Sequence, residues 1–293
     1  VIELWESQDE QLYEVAFSTG DVITCDGRHL WAVESPTGKA HELSTVDLMH
    51  DLRYGNGAAK WRVPVVENIR TEEQDLPLDP YVLGYWLGDG STGKPEIAVG
   101  HEDLPDLLAN LRSAGLTFKV REQRGGYSVY VHRIRGVLND LGVLGHKHIP
   151  AIYTIASQEQ RLALLQGLMD SDGTITKKDG RASFSQNPDQ RPDLLRDTYR
   201  LIASLGYQPR LRDESKWGVS PSTGEKYWNA QQRIYFKPND KRYVFRLARK
   251  ALRQSVSPQI RTATRRIVDI RAAGRGPVKC ITTLGGGNLY CLG

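Results

Sequence analysis

The sequence has no long apolar run and few cysteines. No stretch of its 293 residues approaches the about 18 uninterrupted apolar residues of a transmembrane helix, so we expect no membrane partner. The opening residues, Val1–Glu6, are partly acidic and predict no signal peptide, and the missing initiator methionine is typical of a trimmed piece. Three cysteines, Cys25, Cys280 and Cys291, form no C-x-x-C pair, which indicates a reducing compartment and predicts a cytoplasmic protein.

The chain as a whole also has little excess of positive or negative charge. It has 39 lysines and arginines against 35 acids, a net charge of +4. The basic residues are nevertheless concentrated between Lys241 and Arg275, where eleven lysines and arginines accompany one acid, Asp269. Such a block suits a polyanion such as nucleic acid, although the solvated face of a helix would carry the same pattern.

The composition indicates a globular protein of about two domains. Hydrophobic residues make up 39% of the chain and charged residues 25%, which argues against a disordered protein. Alternating apolar and polar residues predict β-strands in residues 1–35. Residues 36–77 are predicted to be a linker with one short helix, and a different pattern begins at Pro80.

A helix followed by an Asp-Gly pair is predicted twice in the middle of the chain. The first helix should begin at Pro80 and end at Asp89; the second should begin after Ser157 and end at Asp172. The N-terminal caps expected for the two helices are Asp79 and a Ser157–Gln160 capping box. The strands and helices predicted after each copy correspond, so residues 78–255 contain one diverged unit used twice.

Each of these helices carries two small residues four positions apart. They are Gly84 and Gly88 in the first helix, and Gly167 and Ser171 in the second. Small residues at this spacing leave one helix face without bulky side chains and allow two backbones to approach closely. The spacing therefore predicts that the two helices pack against each other.

Close packing of the helices would bring together the aspartates at their ends, Asp89 and Asp172. Two buried carboxylates repel each other unless a divalent cation lies between them, and carboxylate oxygens with water suit Mg²⁺. Such a cation can activate water for phosphodiester cleavage. A single Asp-Gly pair is more often a simple turn, but the apolar helix, the spacing and the repetition together favour the catalytic interpretation.

Residues 83–90 and 165–173 resemble the two motifs of the LAGLIDADG homing endonucleases, and residues 147–150 are similar to the family's Lys-x-Ile-Pro block. The resemblance implies an α+β fold with pseudo-twofold symmetry. In that fold, two αββαββα units place four-stranded sheets on the major groove of DNA.

The same resemblance implies the roles of individual residues. Asp89 and Asp172 would be catalytic and would hold two or three Mg²⁺ ions, for which Mn²⁺ would substitute. Gly88 and Ser171 would contribute to the metal site. Lys147 would be catalytic, although a plain surface lysine before a proline fits this position equally well.

The two ends of the chain resemble parts of an intein. Residues 25–33 resemble the splicing block that contains a histidine, here His29, and residues 264–293 resemble the C-terminal splicing strands. The family's first nucleophile and terminal His-Asn pair are missing, so we predict that this chain does not splice and that His29 is structural. The predicted domains are a partial all-β intein (Hint-like) segment (1–35), a linker that could also contact DNA (36–77), two LAGLIDADG subdomains (78–155 and 156–263) and incomplete splicing strands (264–293).

Basic and aromatic residues after the two motifs are candidate DNA contacts. Each alone is more often a solubilising surface residue, but as a set on β-hairpins they favour DNA. A helix face suited to the DNA backbone is predicted by basic residues that recur every three or four positions: Arg242, Arg246, Arg249, Lys250 and Arg253. The other candidates are Lys94, Arg121, Arg124, Tyr130, Lys177, Lys178, Arg181, Arg210, Arg212, Lys226 and Arg233.

The sequence therefore predicts a monomeric homing endonuclease that makes a double-strand break in a long, asymmetric DNA target by Mg²⁺-dependent hydrolysis. A non-cleaving DNA- or RNA-binding relative, such as a maturase, is the first alternative, and the two retained aspartates argue against it. An autoprocessing intein in a longer form of the protein is the second, and the missing terminal residues argue against it for this chain.

Overall fold

The computed structural model describes residues 3–65, 69–219, 224–238, 242–254 and 264–282. The chain forms two compact units, one built from residues 1–67 and 261–293 and the other from residues 68–260. In the described residues, no helix is both long enough and apolar enough to cross a membrane.

The secondary structure elements are given in chain order. The first unit begins with β1 (Glu3–Phe17), β2 (Val22–Asp26), β3 (Leu30–Glu34), β4 (Ala40–Ser44), α1 (Thr45–His50) and β5 (Arg62–Pro64). The second unit contains α2 (Pro80–Asp89), β6 (Glu96–Val99), α3 (Leu104–Ser113), β7 (Phe118–Gln123), β8 (Gly126–Val131), α4 (Ile134–Asp140), α5 (Ala151–Thr154), α6 (Gln158–Asp172), β9 (Gly173–Ile175), β10 (Ala182–Gln186), α7 (Pro192–Ser204), β11 (Arg210–Asp213), β12 (Lys216–Val219), β13 (Lys226–Asn229), β14 (Gln232–Phe236) and α8 (Ala248–Ala251). The last strand, β15 (Thr264–Thr282), returns to the first unit.

The first unit is a six-stranded sheet in the order β2-β1-β15-β5-β3-β4. The long strands β1 and β15 are antiparallel neighbours, with Glu3 opposite Thr282 and Val15 opposite Ile270. The buried core residues of this unit are Val15, Phe17, Trp31, Val33, Leu48, Trp61, Ile267 and Ile270. The unit is therefore assembled from segments at both ends of the sequence, and the residues of the second unit lie between these segments in the sequence.

Residues 36–64 differ from the linker predicted by the sequence, because β4 and β5 belong to the sheet unit, whereas the short helix predicted there is present as α1. Ala40–Ser44 pairs with Leu30–Glu34. Ser44 is the N-cap of α1 and forms a capping box with Asp47. The prediction followed the polar composition of the segment, but β4 lies at the edge of the sheet and an edge strand tolerates polar residues.

The second unit contains two similar halves that follow helices α2 and α6. After α6, strands β9, β10, β11 and β14 form a four-stranded sheet in the order β11-β14-β10-β9. After α2, the sheet has the order β6-β8-β7, and a bridge between Gly90 and Ile97 takes the place of the fourth strand. The prediction of two four-stranded sheets therefore holds for the second half, whereas the first half has three strands and a bridge. The second half also carries an additional hairpin, β12–β13.

Helices α2 and α6 begin and end where the sequence predicts. The Asp79 side chain accepts a hydrogen bond from the Val82 N–H, and Pro80 occupies the first turn. Ser157 and Gln160 form the capping box of α6. Every residue from Tyr81 to Gly88 is buried, because α2 is covered on all sides within the second unit. A helix whose sequence is apolar on every face is typical of a helix buried on all sides.

Candidate active site

Helices α2 and α6 touch along their small residues. A β-carbon placed on Gly84 would lie less than 3.0 Å from the backbone of Leu164, and one on Gly167 less than 3.0 Å from the backbone of Tyr81. A β-carbon on Gly88 would lie equally close to the Ser171 side chain. The structure thus brings together all four residues proposed from the spacing, and no larger side chain fits between the two backbones.

The two aspartates lie side by side at the ends of these helices. Asp89 is the last residue of α2 and Asp172 the last of α6. Burial, together with the neighbouring charge of Asp172, raises the pKa of Asp89 to about 7. Burial also raises the pKa of Asp172, although Gln186 Nε2 donates a 2.5 Å hydrogen bond to Asp172 Oδ2 and opposes the shift.

A buried lysine closes the C-terminal end of the first helix. Lys147 Nζ donates hydrogen bonds to the carbonyl oxygens of Trp86, Gly88 and Gly90 at 3.0, 3.0 and 2.6 Å. These carbonyls are the acceptors that a helix leaves without partners at its end, and they carry the negative end of its dipole. Burial lowers the pKa of Lys147 to about 7, with Arg191 also lowering it and the two aspartates opposing the shift.

A second buried lysine, Lys250, closes the other helix in the same way. Its Nζ donates to the carbonyl oxygens of Met169, Asp170 and Gly173 at 3.0, 2.6 and 2.8 Å, and to Ser171 at 3.3 Å. Burial lowers the pKa of Lys250. The spacing of the basic residues did not predict this role, because it indicates an exposed basic helix face that includes Lys250. The repeat itself was the available signal, because a lysine that follows the first motif should have a counterpart after the second.

The helix predicted for Arg242 to Arg253 is wrong for most of that segment. Only Ala248–Ala251 is helical, so Arg242 and Arg246 do not share an outward helix face. Arg242 donates to Leu205 O at 3.0 Å. Arg246 packs its guanidinium 4.4 Å from the ring centre of Tyr81. The segment is held in an irregular path because the buried Asp170 carboxylate accepts the N–H groups of Arg246 and Leu247.

The two centres are not equivalent beyond the shared aspartates and lysines. Phe184 pairs with Gly173 as Ile97 pairs with Gly90, so Gln186 and Val99 occupy corresponding positions. Gln186 hydrogen-bonds to Asp172, whereas Val99 is apolar and buried. Arg191 also reaches the site and donates to Gly88 O at 3.2 Å. Sequence reasoning did not find Gln186 and Arg191, because neither belongs to a repeated pattern.

The donor set fits a divalent cation that retains water. In the part of the chain that the structure describes, no group of three or more His, Cys, Asp or Glu side chains could hold a metal. Asp89 and Asp172 supply two carboxylates, and their mutual repulsion favours a cation between them. Mg²⁺ suits such a site, because it commonly binds one or two carboxylates and keeps several waters. Gly88 O already accepts from Lys147 and Arg191, so the roles predicted for Gly88 and Ser171 stay predictions.

These pKa shifts predict that the metal-free protein is least stable near neutral pH. Asp89 binds a proton only in the folded state between its unfolded pKa of 3.8 and its folded pKa of about 7. Its contribution to stability is therefore lost as pH rises towards about 7. The pKa of Lys147 is 10.5 in the unfolded state and about 7 in the folded state. The free energy of unfolding should therefore rise again from about pH 7 to about pH 10. Urea denaturation in the presence of a chelator, repeated across this pH range, measures both slopes.

Matched variants separate the two slopes. Asp89→Asn should reduce the slope below pH 7 and leave the slope above it, whereas Lys147→Met should do the reverse. The slopes that remain come from groups such as Asp172 and Lys250, whose pKa values burial shifts in the same directions. Asp140→Asn, at an exposed position, should leave both slopes unchanged. A parent protein whose stability peaks at pH 7 without metal would contradict the arrangement.

The sheet of the second half carries a basic outer surface. Arg181, Arg212 and Arg233 lie 6.0, 5.8 and 6.0 Å from the ring centre of Tyr235. Arg233 also pairs with Glu214 at 2.9 Å. The remaining candidates of this half are exposed: Lys177, Lys178, Arg210 and Lys226. In the first half, the exposed candidates are Lys94, Arg121, Arg124 and Tyr130.

His29 lies in the first unit. Its ring packs edge-on against Trp31, with 4.8 Å between ring centres, and its main-chain oxygen accepts from Thr45. Burial lowers the pKa of His29. Cys25 is also half-buried there, and its Sγ lies 3.3 Å from Thr45 Oγ1. Cys291 and the end of the predicted splicing strands lie outside the described residues.

In comparisons with known proteins, part of the chain matches the model of one protein family. Residues 159–266 match the family model of the LAGLIDADG-like domain. The replicative DNA helicase DnaB of Mycobacterium intracellulare is 30% identical over 304 residues, which cover 95% of this chain and 48% of that protein. The ATP-dependent DNA helicase Hel308 of Methanocaldococcus jannaschii is 26% identical over 233 residues, which cover 73% of this chain and 18% of that protein. The chain thus spans less than half the length of each of these relatives.

Among solved structures, the chain is similar to those of the homing endonuclease I-DmoI. Its complex with DNA and Ca is 14% identical, with a TM-score of 0.36, and the likeness covers 54% of this chain and 82% of that one. Mesophilic variants of the same endonuclease are 14% identical, with a TM-score of 0.35, over 54% of this chain and 87% of that one. The region that matches the family model contains α6 from its second residue, Asp172 and the four-stranded sheet.

Proposed function

We propose that this chain is a site-specific endonuclease that makes a double-strand break in a long, asymmetric DNA target by Mg²⁺-dependent hydrolysis. The observation that carries the proposal is the pair of buried aspartates on touching helix ends, each helix end closed by its own buried lysine. The LAGLIDADG-like match over residues 159–266 supports the same function. We extend that assignment to the first motif, which lies outside the match.

The residues of the two centres would act on the phosphodiester in complementary ways. Asp89 and Asp172 would hold the divalent cation, which supplies an activated water and stabilises the leaving oxygen when it is bound. Lys147 and Lys250 lie in a dry environment, where a cation stabilises developing negative charge more strongly than it does in water. Two centres, each with one lysine, match the two strands of a duplex.

The sheets of the two halves would supply recognition. Strands reach base edges in the major groove, and arginines bind phosphate. The outer surface of the second half has three arginines around Tyr235, while the first half presents Arg121 and Tyr130. Because the two surfaces differ, one monomer would read two different half-sites.

The function is tested by cleavage of a plasmid library that carries random target sites. We expect the full chain with Mg²⁺ to linearise a small fraction of plasmids at one related set of sequences, with Mn²⁺ substituting and EDTA abolishing the reaction. Binding of selected plasmids without any cut in Mg²⁺ or Mn²⁺ would instead support the non-cleaving alternative. Selection of structured RNA in preference to duplex DNA would support a maturase-like protein.

A helicase activity is disfavoured by the sequence, although two relatives are helicases. An ATPase loop of the form G-x-x-x-x-G-K-[ST] cradles the nucleotide phosphates in such enzymes. The chain has two Gly-Lys pairs, Gly38-Lys39 and Gly93-Lys94, and they precede Ala40 and Pro95 where the loop requires Ser or Thr. The matched part of the relatives is therefore proposed to be an element other than their ATPase.

The first unit supports an intein-like context for the endonuclease. Its sheet is formed by β1 and β15 from opposite ends of the sequence, so residues 68–260 are inserted into it. A domain is tolerated as an insertion when its two ends lie close together. We propose that the first unit is a Hint-like splicing domain, and that the chain is a monomer in a reducing, DNA-containing compartment. Splicing in a longer form is tested with a precursor fused to flanking peptides.

The hairpin β12–β13 is expected to strengthen DNA binding through its aromatic face. Trp217 and Trp228 pair across the strands and are 68% and 53% exposed, and Lys226 lies on the same face. A two-stranded ribbon fits the major groove, where aromatic side chains can make apolar contacts with base edges such as the thymine methyl group. Replacing both tryptophans by alanine should weaken binding about 10-fold, because burial of a large apolar side chain contributes about 1.5–3 kcal/mol.

Fluorescence anisotropy with a labelled random-sequence duplex at low salt measures this effect. Trp5→Ala is the matched control, because Trp5 is also exposed but lies in the first unit. Equal affinity of the double variant and the parent would show that the hairpin does not contact DNA.

A further inference from the structure

Two short segments carry the buried lysines to the helix ends. We call residues 146–149, with Lys147, the first arm, and residues 246–250, with Lys250, the second arm. Each arm crosses the end of its own motif helix, because Lys147 closes α2 and Lys250 closes α6. The position of each amine therefore depends on what holds the arm.

The first arm is held by a helix of the second half. The N–H of Ile149 donates to Asp197 Oδ2 at 3.2 Å, and His146 Nε2 lies 2.7 Å from Asp193 Oδ2. Both aspartates belong to α7. The side chain of Asp197 is 11% exposed, so little water competes for this contact.

The second arm is held by a helix of the first half. The N–H of Ala248 donates to Asp106 Oδ2 at 3.0 Å, and Arg249 pairs with Asp103 at 2.5 Å. Asp106 lies in α3 and Asp103 is its N-cap. The pattern is reciprocal, because Asp106 precedes Gly115 by the same nine residues that separate Asp197 from Gly206.

We propose that the two lysines are positioned crosswise: Asp197 of the second half sets the position of Lys147, and Asp106 of the first half sets the position of Lys250. Loss of the positioning aspartate in either half would then change the position of the buried lysine in the other half. The inference rests on the proposed function only for its consequence in DNA cleavage. The positioning itself concerns contacts within the metal-free, DNA-free protein.

The two arms should not respond equally. The second arm has a further attachment within its own half, where Asp170 accepts the N–H groups of Arg246 and Leu247. Leu87 occupies the matching place in the first motif and offers no acceptor. Loss of Asp197 should therefore disturb Lys147 more than loss of Asp106 disturbs Lys250.

Amine labelling of the full chain tests the crossing without DNA or metal. After a short pulse of acetic anhydride, mass spectrometry gives the acetylation rate of each lysine. In Asp197→Ala, Lys147 should react about 5-fold faster and Lys250 unchanged, the factor expected for one lost hydrogen bond. In Asp106→Ala, Lys250 should react about 2-fold faster and Lys147 unchanged, because other contacts still hold the second arm.

Conservative variants and a control distinguish positioning from general loosening. Asp197→Asn and Asp106→Asn keep an acceptor oxygen and should return both rates towards the parent values. Asp140→Ala, at an exposed helix end, should change neither lysine. Equal acceleration of both lysines in either alanine variant, acceleration of the lysine in the same half, or no change would overturn the proposal.

A cleavage assay then measures the effect of each substitution on DNA cutting. With a plasmid that the parent cuts, Asp197→Ala and Asp106→Ala should accumulate circles nicked in opposite strands, each by loss of the crossed centre. Nicks in the same strand for both variants would overturn the crossing. If the parent cuts no DNA, the proposed function fails, while the labelling result still decides how the lysines are held.

Discussion

Asparagine in place of Asp172 is expected to reduce the rate of DNA cleavage at least about 10³-fold while DNA binding is retained. The substitution removes one of two carboxylates that a divalent cation would bridge, and the remaining Asp89 cannot hold the cation alone. It preserves the hydrogen bond from Gln186 Nε2, because the asparagine side-chain oxygen can still accept it. Cleavage of a selected plasmid at saturating enzyme measures the rate, and anisotropy with the same duplex measures binding.

The same substitution should stabilise the metal-free protein. Burial raises the pKa of Asp172, which means that its charge is unfavourable in the folded state at neutral pH. Loss of activity together with a higher melting temperature would exclude unfolding as the cause. Asp189→Asn, at an exposed position after β10, is the matched control and should change neither property. A variant at Asp172 that cuts at the parent rate would refute the assigned centre.

Alanine in place of Gly167 is expected to lower the free energy of unfolding by about 3 kcal/mol, the upper range for overpacking. The added β-carbon would meet the backbone of Tyr81, Tyr85 and Gly84, and backbone atoms cannot move aside as a flexible side chain can. The helices must therefore separate, which also moves Asp89 and Asp172 apart. Urea denaturation at fixed pH measures the loss.

Gly136 offers a control of the same chemical change. It lies in helix α4 with nothing within 4 Å of an added β-carbon. Gly136→Ala should raise stability by up to about 1 kcal/mol, because alanine is the better helix former. If Gly167→Ala were as stable as Gly136→Ala, the close contact between α2 and α6 would be absent in solution.

The paired helices were the part of the fold most accessible to prediction. The side chains of Asp79 and Ser157 accept N–H groups three residues along the chain, and Pro80 suits a first turn because it needs no N–H partner, so these helix starts can be read locally. Small residues such as Gly84 and Gly167 predict close approach wherever a partner helix exists, and the repeat supplied that partner.

The edge strands and the basic segment were predicted less well. Strand β4 is polar because one of its faces meets water, and the sequence pattern resembled a linker. The arginines after Lys241 had helical spacing, but Asp170 and Asp106 bind backbone N–H groups of that segment and hold it in another path. The periodicity of a sequence shows which side chains are polar, whereas the backbone conformation also depends on hydrogen-bond acceptors that are distant in sequence.

The sequence by itself determined the two capped helices, the small residues that allow their contact, and the aspartates that end them. Only the tertiary structure decided that Lys250 is buried at the end of α6 as the counterpart of Lys147 at the end of α2, and that each lysine arm is held from the opposite half. The reason is physical. A cap and a helix spacing act between near neighbours in the chain, whereas the buried amines are stabilised by carbonyls and carboxylates that become neighbours only after the chain has folded.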